Sequence, residues 1–182
     1  ATDAPEVPKI RKLHIFDFDN TIFRSPRPNP SLYNEQSIGM LTDNEALYGS
    51  GWWYDPLVLR NAGEGWDVER KRAWEGLWNE QILDLMKKSY EDEDTLRIVM
   101  TGRQKMIFVE LLKEMLQLKG VEYDGLMLKY DVFESTMSFK GQVVLDLLAK
   151  YNEVEEVVIY DDRMSHLNGF QKLLSEHVTQ TN

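Results

Sequence analysis

The chain contains no cysteine. That removes disulfide frameworks, disulfide-linked partners, thiolate zinc sites and cysteine nucleophiles from consideration. Its three histidines, His14, His166 and His177, are too few and too scattered for a histidine-built zinc centre. No apolar run approaches the length of a membrane span, and residues 1–8 carry neither the basic nor the apolar part of a signal peptide. No membrane partner is expected. Positive charge is scarce: 21 Lys and Arg stand against 31 Asp and Glu, a net charge of −10. That balance opposes a broad, sequence-blind footprint on a phosphate backbone, which needs clustered cations, although it permits a local basic groove. A cysteine-free chain suits a reducing compartment, so an intracellular setting, cytoplasm or nucleus, is expected. The first residue is Ala1 rather than Met, which suggests a processed chain or a piece of a longer polypeptide.

What is present is a globular composition, 42% hydrophobic over 182 residues, enough for one well-buried core and short for two. Four apolar runs read as buried strands: Leu13 to Asp19, Arg97 to Met100, Asp124 to Leu128, and Val157 to Tyr160. Between them lie amphipathic helical patterns. One follows Arg103, with Ile107, Phe108, Leu111, Leu112 and Met115 on one face and Gly120 placed to end it; another opens at Lys140. Strands alternating with helices predict an α/β fold with a doubly wound parallel sheet, in which ligands bind beyond the carboxyl ends of the strands. A single domain over 1–182 is expected. Residues 24–95 are too long for a simple crossover and form a cap or insert between the first and second strands. This insert holds all five Trp, and its Trp74 to Tyr90 stretch is helical by period.

Reactive residues gather at the predicted strand ends. Asp17 and Asp19 follow the first strand, with Thr21 after them; Thr101 and Gly102 follow the second; Asp161 and Asp162 follow the last. Lys140 opens a helix. Four acids brought together would repel one another, so the pattern implies a hard divalent cation held by oxygen ligands, together with a nearby Lys. Mg²⁺ is the natural choice, with carboxylates of Asp17 and of Asp161 or Asp162 and the backbone carbonyl of Asp19 as ligands. A carboxylate nucleophile, a balancing Lys140, and donation from the Thr101 hydroxyl and the Gly102 amide suit phosphoester chemistry. Arg103 and Arg163 lie just past motif positions, where they can clamp further phosphate oxygens or serve equally as ion-pair partners for this acidic chain. Trp52, Trp53 and Tyr54 are adjacent, so they cannot all face inward, and at least one can line the approach and stack a base. Trp74 and Trp78 read as core.

In identity and order these positions resemble the four motifs of the haloacid dehalogenase (HAD) superfamily of phosphotransferases. The closer resemblance is to the fungal Swiss Army Knife RNA repair-like HAD family and, more loosely, to the 3′-phosphatase domain of phage polynucleotide kinase. It is carried by segments 16–21, 51–56, 65–66, 78–79, 101–103, 136–140 and 159–166, nearly the whole chain. The resemblance implies a HAD-like Rossmannoid fold with a Trp-rich cap. It also implies an Mg²⁺-dependent phosphomonoesterase in which Asp17 takes up the phosphoryl group and Asp19 serves as acid and then base, with Thr21 supporting their loop. Asp162 would bind metal directly, with Asp161 beside it. Asn20 stands where the superfamily commonly has Gly. The implied substrate is a phosphorylated RNA or DNA end, or a nucleotide. A phosphatase for a small metabolite or phosphoprotein is the alternative within the enzyme class, and a non-catalytic phosphate-binding module is the alternative outside it.

Overall fold

The computed structural model describes residues 9–42 and 51–181, so residues 1–8 and the signal-peptide reading made on them lie outside the described part. Four strands form one all-parallel sheet: β1 (Lys12–Asp17), β2 (Thr95–Gln104), β3 (Gly125–Lys129) and β4 (Glu156–Tyr160), in the order β3-β2-β1-β4. This is the parallel α/β arrangement expected from the alternation of strands and helices, and it agrees with the HAD-like Rossmannoid fold that the resemblance implies.

The period of two along β1 divides its side chains between two cores. Leu13 and Ile15 join Ile98 and Met100 of β2 on one face, beneath helices α6 (Thr136–Lys150) and α7 (Met164–Thr181), through Val144, Leu147 and Phe170. Phe16 and Val99 point to the other face, where they meet Phe108, Leu112 and Met115 of helix α5 (Lys105–Lys119). The same alternation sends the next residue of β1, Asp17, to the α6 side. α5 closes at Gly120, whose φ of 76° is the left-handed conformation glycine adopts without strain.

Between β1 and β2 the chain runs through short helices: α1 (Glu35–Thr42), α2 (Pro56–Arg60), α3 (Trp66–Arg72) and α4 (Glu80–Lys88). Buried residues of this stretch, Leu59, Ala62, Trp74, Trp78 and Met86, pack into the α5-side core rather than into a core of their own. Here the periodicity misleads. Residues 74–79 are not helical, because Ala73 and Trp74 both take left-handed φ, 51° and 52°, and Gly76 follows at 85°. Trp74 and Trp78 still share the core because this tight turn brings them together, with Trp78 Nε1 donating to the Ala73 carbonyl at 2.6 Å. Strand and helix ends also shift. β2 runs on through Thr101 to Gln104 with an irregular register against β3, and α6 starts at Thr136, so Lys140 sits in its second turn rather than at its opening. Ser135 sets that start by accepting from the Ser138 amide.

Candidate active site

Parallel pairing levels the carboxyl ends of β1 and β4, with Phe16 opposite Tyr160 and their rings stacked at 4.7 Å. The residues that follow, Asp17 and Asp161, therefore emerge side by side. Lys140 reaches them from α6 and donates to Asp17 Oδ1 and Asp161 Oδ2, both at 2.6 Å. The lysine is buried to 1% exposure, and the side chains of both carboxylates it joins are buried as well. Asp161 is further held by the Arg163 amide on Oδ1 at 3.0 Å and by His166 Nδ1 on Oδ2 at 3.1 Å. Asp162, exposed, completes a group: one ligand oxygen from each of Asp17, Asp161 and Asp162 lies within 4.8 Å of the others.

One lysine serves two buried carboxylates, and the electrostatics divide unequally between them. Burial pushes the Asp17 carboxyl up from an ordinary 3.8 to about 7, against the pull of Lys140, and the neighbouring Asp161 and Asp19 charges add to the rise. Burial acts in the same direction on Asp161, but Lys140, the Arg163 amide and His166 outweigh it and hold that carboxyl below the usual range. Asp17 Oδ2 accepts no hydrogen bond from any described residue. An all-oxygen set with a proton-retaining carboxyl fits a hard divalent cation, which would favour the ionised form of Asp17.

Asp19 has a different setting. The chain bends after β1, with the Ile22 and Phe23 amides donating to the Phe18 carbonyl, and Asn20 takes φ 59° at the bend, a conformation Asn tolerates better than most residues. This turns Asp19 toward β2. Arg103 Nε and Nη2 donate to Asp19 Oδ1 at 2.9 and 2.8 Å, the Thr101 hydroxyl donates to Oδ2 at 2.9 Å, and the Ser25 hydroxyl donates to Oδ1 at 2.5 Å. The Arg103 guanidinium lies between the rings of Trp53 and Phe108, 4.2 and 4.7 Å from their centroids, and also donates to the Trp53 carbonyl at 3.2 Å. It is a buried fork committed to one carboxylate.

The remaining sequence-predicted positions divide. Thr101 and Gly102 lie at this end of the sheet, and Gly102 is required by close approach: a Cβ there would come within 2.5 Å of the Thr136 side chain. Thr21 is buried, its hydroxyl without a partner, on the wall of a pocket that also includes Asn20, Asn79, Asp161 and Asp162. Trp53 packs on Arg103, and Trp52 meets Trp53 edge-on at 5.4 Å. The Arg163 side chain is exposed, and the residue contacts the acidic group through its backbone amide. Ser25 carries no signal in the sequence, since no motif spacing marks a hydroxyl six residues beyond Asp19. His166 is buried against Asp161.

Among the described residues no helix is long and apolar enough to cross a membrane. The uncharacterized protein YMR265C of Saccharomyces cerevisiae is 34% identical over 178 residues, covering 91% of this chain; the chain spans only 38% of that relative's length. No solved structure matches the chain. The model of HAD domain family 1 in Swiss Army Knife RNA repair proteins matches residues 25–182. The match begins beyond Asp17 and Asp19, and the geometry above brings those two acids together with the Lys140 and Asp161 that fall inside it; the chain belongs to this HAD domain family.

Proposed function

We propose that this domain, with residues 24–95 as its cap, is an Mg²⁺-dependent phosphomonoesterase that works through an aspartyl-phosphate on Asp17 and acts on a phosphorylated RNA or DNA end, or on a nucleotide. One observation carries the reading. Lys140 lies 2.6 Å from both Asp17 and Asp161, three residues far apart in sequence, with Asp162 within the same small group of oxygens. Asp17, Asp161, Asp162 and the Asp19 carbonyl would hold the cation, which would neutralise the crowded carboxylates and the incoming phosphate.

In this reading an Asp17 oxygen attacks phosphorus and the bond to the leaving oxygen breaks, while Asp19 gives that oxygen its proton. A water then attacks the phosphorus of the aspartyl-phosphate as Asp19 takes its proton, releasing inorganic phosphate and restoring Asp17. Lys140 balances the charge on Asp17 and on the transferring oxygens. Arg103, Thr101 and Ser25 position Asp19. The two hydroxyls can each switch from donating to accepting, so Asp19 can carry its proton without losing both partners.

Family membership among RNA repair proteins supports a nucleic-acid end. The net charge of −10 favours a second reading, a small phosphorylated metabolite, because few cations are available for an extended polyanion. The test is a panel of 3′- and 5′-phosphorylated oligonucleotides, mononucleotides, sugar phosphates and an aryl phosphate, each with Mg²⁺ and with chelator. The expected outcome is turnover lost on chelation and highest kcat/KM on an oligonucleotide end. Preference for sugar phosphates overturns the substrate, and no turnover across the panel overturns the phosphatase.

A further inference from the structure

Two large aromatic side chains are strongly exposed among the described residues, and they stand three positions apart: Tyr130 at 66% and Phe133 at 76%. They occupy the loop between β3 and α6. Burying an aromatic ring is a main source of folding energy, so leaving two in water at one place calls for a reason. The loop itself is pinned. The buried Lys129 donates through Nζ to the Glu134 carbonyl at 2.8 Å, the Phe133 amide donates to Asp131 Oδ1 at 2.8 Å, and the Ser138 hydroxyl donates to Glu134 Oε1 at 3.2 Å. Lys105, the first residue of α5, places Nζ 4.7 Å from the Tyr130 ring centroid, and Met106 beside it is 78% exposed.

This patch borders the candidate active site. Lys105 directly follows the end of β2 that carries Thr101 and Arg103, and Tyr130 directly follows the end of β3. Thr136, three residues past Phe133, presses against Gly102. The patch therefore offers flat rings and one ammonium on the rim where the sheet's carboxyl ends open. Rings stack on any base, and a single lysine can meet one phosphodiester, without the long basic track that the chain's acidity excludes.

We propose that Tyr130 and Phe133, with Lys105 beside them, are a stacking platform for the one or two unpaired bases that precede the terminal phosphate at Asp17. This deepens the nucleic-acid-end reading and rests on it. The platform selects single-stranded ends at least two nucleotides long over mononucleotides, and it reads base faces rather than base identity.

The test measures binding of fluorescein-labelled uridylates of one, two and four nucleotides bearing a 3′-phosphate, with Mg²⁺, to the Asp17→Asn protein, alongside turnover by the unsubstituted protein. Affinity is expected to rise about tenfold from one to four nucleotides. Adding Tyr130→Ala removes that gain, Tyr130→Phe restores it, and Phe133→Ala removes part of it; melting curves establish that each variant folds. Affinity independent of length, or a length gain that survives Tyr130→Ala, overturns the platform. So does sedimentation in which Tyr130→Ala dissolves a dimer and leaves oligonucleotide binding intact, since a second copy would then be the occupant. Length-dependent binding through Tyr130 without turnover of any phosphomonoester overturns the phosphatase and leaves the platform standing. Turnover without length dependence does the reverse.

Discussion

Asp17 and Asp19 are two residues apart in one sequence motif, yet they sit in opposite surroundings. Asp17 shares a single lysine with Asp161, keeps one oxygen free of hydrogen bonds to described residues, and is pushed up to about 7 by burial. Asp19, equally buried, is met by a bidentate guanidinium and two hydroxyls, all of them donors. The first carboxylate is under-compensated and the second is saturated. An under-compensated acid is poised to gain a partner, whether cation or phosphoryl group, whereas a saturated acid is held in place. The asymmetry separates a carboxylate open to cation and phosphate from one fixed in orientation, and each of the following outcomes would sharpen or break it.

The largest effect is expected from Asp17→Asn. Loss of the nucleophile lowers kcat by at least about 10⁴-fold, the scale of nucleophile deletions in covalent enzymes. In chelator at pH 8 the same substitution raises the melting temperature, because it removes an ionised carboxylate that burial disfavours. Turnover within tenfold of the unsubstituted protein would exclude Asp17 as the group that takes up phosphate.

On the saturated side, Arg103→Met leaves Asp19 buried without its cation. A cost of about 3–5 kcal/mol in denaturant-derived stability is expected, as for other broken buried pairs, with kcat falling about 10²-fold as Asp19 loses its orientation. Combining it with Asp19→Asn recovers much of the stability and none of the activity. Additive stability losses in the double variant would show that the pair is not coupled.

The pH dependence of stability separates the acids by sign. Asp17 holds its proton more tightly folded than unfolded, so its contribution is fully present below about pH 4 and is lost as pH rises through about 7. At 1.36 kcal/mol per unit this amounts to up to about 4 kcal/mol. Asp161, held low, contributes the opposite way, its stability lost only as pH falls below the ordinary carboxylate range. Between pH 4.5 and 7.5 the chelated protein is therefore expected to melt at progressively lower temperature, and Mg²⁺ or Asp17→Asn flattens the slope. A melting temperature that climbs across that interval would contradict the assignment to Asp17.

The parts of this arrangement legible in the sequence are those set by local pattern. An apolar run ending abruptly in acids marks a strand end, and β1 and β4 follow from that alone, as do the apolar faces of α5 and α6. The α6 start is legible too, since Ser135 is a strong capping residue five positions ahead of Lys140. Illegible were features fixed by side-chain direction across the sheet. Arg103 beside a phosphate-type motif reads equally as a clamp for substrate or as an ion-pair partner, and the contact of its guanidinium with Trp53, Phe108 and Asp19 decides which. The Trp74 to Trp78 spacing fits a helix turn equally well, and no Gly or Asn at positions 73 and 74 announces the left-handed pair that forms a tight turn instead.

Ser25 provides the finest test of the contrast. Its hydroxyl donates to the same Asp19 oxygen as two nitrogens of Arg103, so Ser25→Ala removes one of several donors while the guanidinium and Thr101 remain. Stability should fall by about 1 kcal/mol, near the net worth of one hydrogen bond, with no buried group left wholly unpaired. Activity should fall about threefold to tenfold, because Ser25 is one of the two hydroxyls able to accept a hydrogen bond from Asp19 when it carries its proton. Ser25→Thr keeps the hydroxyl and should recover most of the loss. If Ser25→Ala instead costs as much as Arg103→Met, Asp19 is not saturated, and the division between the two carboxylates disappears.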